Sequence, residues 1–188
     1  GVTTKEPIGQ YCRAVLGDIR LLWERHTEFV TYTFSRRGAF DHPFAKPVLY
    51  ELPQAWLASM PGEVISAVSL ALEPRSAPER SPEEIAELFG GNLVIGSEVV
   101  GGAARAWSDL RIHGDGLSRI LLRDQGLSDN QAGRLVKRLM EVSSYRAMAL
   151  LGLPPAREAS QRLSRADGRL VAVATQMSSQ QRATTETE

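Results

Sequence analysis

The chain has 188 residues, of which 43% are apolar, enough for one medium domain or a domain with an extension and for a buried core. Basic and acidic residues number 22 each, so no net charge draws the chain to nucleic acid, which is not expected as a partner, or to an anionic membrane surface. The single cysteine, Cys12, excludes an internal disulfide. The longest mostly apolar run, Ala147 to Leu153, is far short of the roughly 20 residues of a spanning helix, and no charged and then apolar leader opens the chain.

Leu16 to Phe34 is rich in β-branched and aromatic residues and reads as strand. Inside it Trp23 to Phe29, WERHTEF, sets two carboxylates, an arginine and a histidine between aromatics. Ile19, Leu21 and Trp23 put the apolar set on odd positions, whereas Val30, Tyr32 and Phe34 put it on even ones. A uniform strand cannot slip in this way without turning half of its apolar face to water. Arg25 to Glu28 holds no Gly, Asn, Asp or Pro for a tight reversal, so a β-bulge is the expectation. His42, in GAFDHPF (38 to 44), sits in a turn-like stretch between aromatics and reads as part of a docked loop that could cover a polar site.

Pro53 to Met60 is a weak helix candidate, and Val64 to Leu72, apolar on both faces, reads as a central, covered strand. Glu73 to Ser81 is polar and broken by proline, hence an exposed loop. Ser81-Pro82-Glu83-Glu84 opens a short helix with an N-cap hydroxyl, a proline at the first position and carboxylates at the positive end of the dipole, and Gly90 offers its stop. Leu93 to Arg123 reads as a three-strand meander, with turns at Gly101-Gly102 and Gly114-Asp115-Gly116 and a middle strand running to His113.

After Leu127 the period changes to that of a helix. Ser128 and Gln131 form a capping box, and Ala132, Leu135, Val136, Leu139, Ser143, Ala147 and Leu150 share one face. Pro154-Pro155 is expected to break or kink this helix. Beyond it Ala156, Ala159, Leu163, Ala166, Leu170, Val173 and Met177 form a heptad seam, to be buried either against the first helix or against another chain. The tail SSQQRATTETE is polar and expected to fray. The expected architecture is α+β: a mostly antiparallel mixed sheet of about six strands with short covering helices over residues 1–126, then a C-terminal helical pair over 127–188.

Two polar sets are candidates for a ligand site. Glu24, Arg25, His26 and Glu28 lie in WERHTEF; Asp109, Arg111 and His113, with Trp107, are expected on one strand face and Arg119 on the next strand. On one side of a single sheet they would bind an anion through Arg111 and Arg119, or a divalent cation through Glu24, His26, Glu28 and Asp109. The plainer alternative is a structural ion-pair network. No catalytic residue is assigned, no cofactor is predicted apart from that cation, and a hydrolase using His26 or His113 as base lacks a nucleophile. No G-x-G-x-x-G, Walker loop, H-E-x-x-H, G-x-S-x-G or EF-hand loop is present, and His26-Thr27-Glu28 lacks the P-C-x-x-C a zinc deaminase needs.

LLWERHTEFVTYTF (21 to 34), GAFDHPF (38 to 44) and the long string from Leu88 to Pro154 together resemble a bacterial family of uncharacterised, membrane-anchored proteins, domain of unknown function 3422. The resemblance covers most of the chain from about Leu16 onward. It implies a soluble N-terminal part followed by long helices and a hydrophobic anchor. An H-A-R-P string of the family and the anchor are both missing here, so the chain is expected to be a piece of a longer protein. The layout is similar in outline to the cytosolic part of CorA-type magnesium channels, an analogy of architecture alone. The functional expectation is a non-enzymatic module at the cytoplasmic side of the bacterial inner membrane, forming a homo-oligomer through its C-terminal helices. The alternative is a ligand- or divalent-metal-binding sensor, related to ion transport, that uses the polar sets.

Overall fold

The computed structural model describes the backbone of residues 2–4 and 9–185 and the side chains of residues 9–177. Two compact units, Gly1–Leu139 and Met140–Glu188, make up the chain. The first unit holds two four-stranded sheets and the short helices; the α+β class stands, with eight strands in two sheets among the described residues instead of about six in one.

The first sheet is an antiparallel meander of β1 (Val2–Thr4), β2 (Tyr11–Leu16), β3 (Ile19–Arg25) and β4 (Val30–Ser35). Leu16 pairs with Ile19, so Gly17-Asp18 is a two-residue turn, and Gly17 takes the φ of +67° that such a turn demands of its first residue. Leu21 pairs with Phe34, Trp23 with Tyr32 and Arg25 with Val30. WERHTEF therefore contains a hairpin and not the expected bulge, with His26 to Phe29 as its loop. Odd positions of β3 face even positions of β4, so the phase slip is one continuous apolar face seen across a reversal. The loop has no residue at positive φ and needs no glycine. The His26 N–H donates to the Phe29 carbonyl at 2.8 Å and the two rings stack at 4.5 Å, which closes the turn by side-chain contact.

The second sheet has β5 (Val68–Glu73), β6 (Ile95–Val99), β7 (Ala104–Ser108) and β8 (Ser118–Asp124) in the order β5-β8-β7-β6. β5 is parallel to β8 and the other pairs are antiparallel. The meander of β6 to β8 is as expected. β5 occupies an edge and not the centre, yet both of its faces are covered, which accounts for its apolar run. The β5 to β6 connection carries α2 (Pro82–Leu88), whose Ile85 and Leu88, with Phe89 and the loop residue Phe44, pack on Ala71 and Leu121. On the opposite face Ile120, Leu122 and Ala104 meet Leu135, with Val136 and Leu139 beside it. These three belong to the first turns of α3 (Asp129–Thr185).

Both helix starts are capped as expected. Ser81 accepts from Glu84 N–H while the Glu84 carboxylate accepts from Ser81 N–H, and Ser128 and Gln131 do the same for α3. A 3-10 turn at Val48–Glu51 and a short α1 (Gln54–Ala58) follow β4, and Trp56 of α1 packs edge-on against Phe34 at 5.9 Å.

The second unit is the remainder of α3. Pro154 and Pro155 lie inside this helix and do not end it, contrary to the expected helical pair. The prolines leave the carbonyls of Leu150 and Leu151 without helical donors, but every residue from Ala149 to Met177 is exposed, so water can reach that stretch of backbone. Of the tail expected to fray, the helix runs on to Thr185, and residues 186–188 lie outside the described ones.

Candidate functional site

The two polar sets lie on different sheets. Glu24, Arg25, His26 and Glu28 occupy the β3–β4 hairpin of the first sheet, while Asp109, Arg111, His113 and Arg119 surround the β7–β8 connection of the second. The single sheet face expected for them does not form.

In the first set Glu24 Oε1 meets Lys137 Nζ of α3 at 2.6 Å, an ion pair whose lysine is half exposed. His26 Nε2 stands 3.5 Å from the Thr31 hydroxyl, and Arg25 and Glu28 are exposed. These side chains spread around a wet turn.

The second set is compact. β7 ends at Ser108 and does not run to His113, because Leu110 takes a φ of +57° and carries the chain out of the strand. Two side chains hold this conformation. The Ser108 hydroxyl accepts from Leu110 N–H at 3.1 Å and donates to the Arg119 carbonyl at 2.8 Å. Asp109, with its side chain fully buried, accepts from Arg111 N–H at 3.2 Å and from the Asn92 amide at 2.9 Å. His113 Nε2 lies 2.9 Å from Asp109 Oδ2 without the alignment of a hydrogen bond, so the contact is electrostatic when the ring is protonated. Arg119 donates from Nη1 to the Leu88 carbonyl at 2.8 Å, approaches Asp115 at 3.5 Å and lies over the Phe44 ring at 5.4 Å. The GAFDHPF loop thus covers Arg119, and His42 serves it by accepting from Phe44 N–H at 3.3 Å. Arg111 is exposed.

Sequence reasoning missed a third cluster on the same sheet. Glu73 and Arg123 face each other in register on β5 and β8. Glu73 is 2% exposed and accepts from Arg80 at 2.6 Å and 2.9 Å, while Arg123 donates to the carbonyls of Ala77 and Pro78. The loop expected to be exposed is so at Pro74 to Ser76 and at Pro78 and Glu79, but Glu73 belongs to β5 and the loop is clamped to the sheet through Arg80 and Arg123. The available signal was a charge at the end of each of two apolar strands, LALE and LLR.

Among the described residues no group of three or more His, Cys, Asp and Glu is placed to hold a metal ion. No helix among them is long and apolar enough to cross a membrane. The family model described as "Protein of unknown function (DUF3422)" matches residues 1–188, the whole chain. The chain belongs to the DUF3422 family. Searches of curated proteins and of solved structures found no match to this DUF3422 chain.

Proposed function

We propose that this DUF3422 chain is a non-enzymatic, self-associating module, held at the cytoplasmic side of the bacterial inner membrane by segments outside it. The observation that supports self-association is the exposed seam of α3: Leu163, Leu170, Val173 and Met177 are 66%, 66%, 51% and 64% exposed on a helix that buries nothing from Ala149 to Met177. An isolated helix draws little stability from propensity alone, so such a length of apolar seam calls for a partner. Membrane attachment and its side rest on the family resemblance. Light scattering on the whole chain tests the association. A discrete oligomer is expected, reduced to monomer by the paired change Leu163→Asp and Leu170→Asp with the circular dichroism of the sheets kept; a monomeric starting chain overturns the reading.

One observation favours a ligand site as the second reading. Arg119 Nε on β8 is buried without a hydrogen-bond partner, whereas His113 Nε2 already faces the Asp109 carboxylate at 2.9 Å. A buried guanidinium N–H without a partner suits a small anion better than the divalent cation considered alongside it. Titration with inorganic phosphate and, separately, with magnesium, followed by calorimetry on the chain and on Arg119→Gln, tests it. Heat from phosphate that the substitution abolishes supports the site, and silence with both ions overturns it.

A further inference from the structure

We propose that α3 pairs with α3 of a second copy of this chain as a parallel, in-register coiled coil running from Val142 to Met177. The inference rests on the self-association reading and deepens it. The heptad seam does not begin at Ala156. Stepped back by the same alternation of four and three, it passes through Gly152, Ala149, Tyr145 and Val142, and Tyr145 and Val142 are 53% and 58% exposed. The seam then spans five heptads, about 50 Å of helix. With Val142 and Ala156 at a positions, Pro154 falls at f, away from the partner, and Pro155 at g, where it flanks the a/d seam opposite the small Ser160, so neither ring enters the seam itself.

The flanking charges choose the orientation. In a parallel, in-register pair each g residue meets the e residue five positions further along the partner. That rule sets Glu141 against Arg146 and Arg162 against Asp167, two pairs of opposite sign on each side of the seam, and it sets Arg169 against Ala174. No like charges meet. An antiparallel pair sets g against g and e against e. Centred on Leu163 to Leu170 it brings Arg169 against Arg169 and Asp167 against Asp167. Centred on the small residues Gly152 to Leu163 it keeps Arg146 opposite Asp167 but leaves Arg162 facing Pro155 and Arg169 facing Met148. Within one chain Arg162 reaches back to Glu158 at 2.6 Å, an exposed pair that costs little to exchange for a partner's carboxylate.

Disulfide trapping reads the orientation directly. In the whole chain with Cys12→Ser, the change Leu163→Cys should give a covalent dimer on mild oxidation, because a parallel seam places each residue 163 beside its own copy. Arg162→Asp should weaken the dimer about fivefold by light-scattering dilution, Asp167→Arg should weaken it comparably, and the two together should recover most of the loss. A chain that is dimeric by mass but forms no such disulfide overturns the parallel arrangement and leaves self-association standing. So does an Arg162→Asp dimer that is unchanged or tighter. A monomeric chain overturns both.

Discussion

The two sheets of the first unit have strands of similar length, and they differ in what covers them. The second is walled by α2 and Phe44 on one face and by the start of α3 on the other, and Leu121, Leu122 and Ala104 are completely buried. The first buries only Ala14 and Ile19 of its described residues, and its apolar face is half covered along Leu21, Trp23, Tyr32 and Phe34. Stability is therefore concentrated in the second sheet, and the polar clusters follow the same division. Buried Asp109 and Glu73 lie where the walls exclude water, whereas the hairpin of WERHTEF stays wet.

The most direct way to break this contrast is to shorten one leucine in each sheet. Leu121→Ala should cost about 3–5 kcal/mol and Leu21→Ala about 1–2 kcal/mol in urea unfolding, since cavity and transfer terms both scale with burial. Equal losses would end the comparison. Next in size is Asp109→Ala, which leaves the Asn92 amide and the Arg111 N–H without their acceptor and should cost about 2–4 kcal/mol. Glu28→Ala in the first sheet's loop should stay within about 0.5 kcal/mol by the same measurement. Gly96→Ala should cost about 1–3 kcal/mol, because a Cβ there would stand 2.9 Å from Trp107 Cδ1 and Nε1 and the ring must move. A near-ultraviolet dichroism change should accompany it.

The smallest effect concerns pH. The Ser81 hydroxyl, and then its own backbone N–H, hold the exposed Glu83 carboxylate below its ordinary value of 4.5. A depressed carboxylate contributes stability that is fully present above its unfolded value and lost as pH falls through the folded one. Unfolding midpoints should therefore be indifferent to Glu83→Gln below the folded value and favour the native residue slightly near neutrality.

Much of this arrangement is legible in the sequence, and the failures share a cause. The meander of β6 to β8, the boxes at Ser81 and Ser128 and the sheet-facing side of α3 follow from turn chemistry and periodicity, which are local. The hairpin at His26 to Phe29 was hidden because its closure comes from a ring stack between loop residues and not from a glycine. The end of β7 was hidden for a related reason: Leu110 is an improbable residue for positive φ, held there by Ser108 and Asp109. The polar sets fell on different sheets because the strands' assignment to one sheet or another is a long-range decision, and side-chain parity carries no record of it. The prolines of α3 were read by local preference, and the exposed helix tolerates them.

One contact also gives the molecule separate optical reporters. Trp107 lies against the backbone of Gly96 in the second sheet, whereas Trp23 stands on β3 and Trp56 touches Phe34 of β4. The chain has no other tryptophan. A variant retaining Trp107 alone would report the loss of the walled sheet by its emission, and one retaining Trp23 alone the loss of the open sheet, so the order in which the two come apart can be followed without any added label.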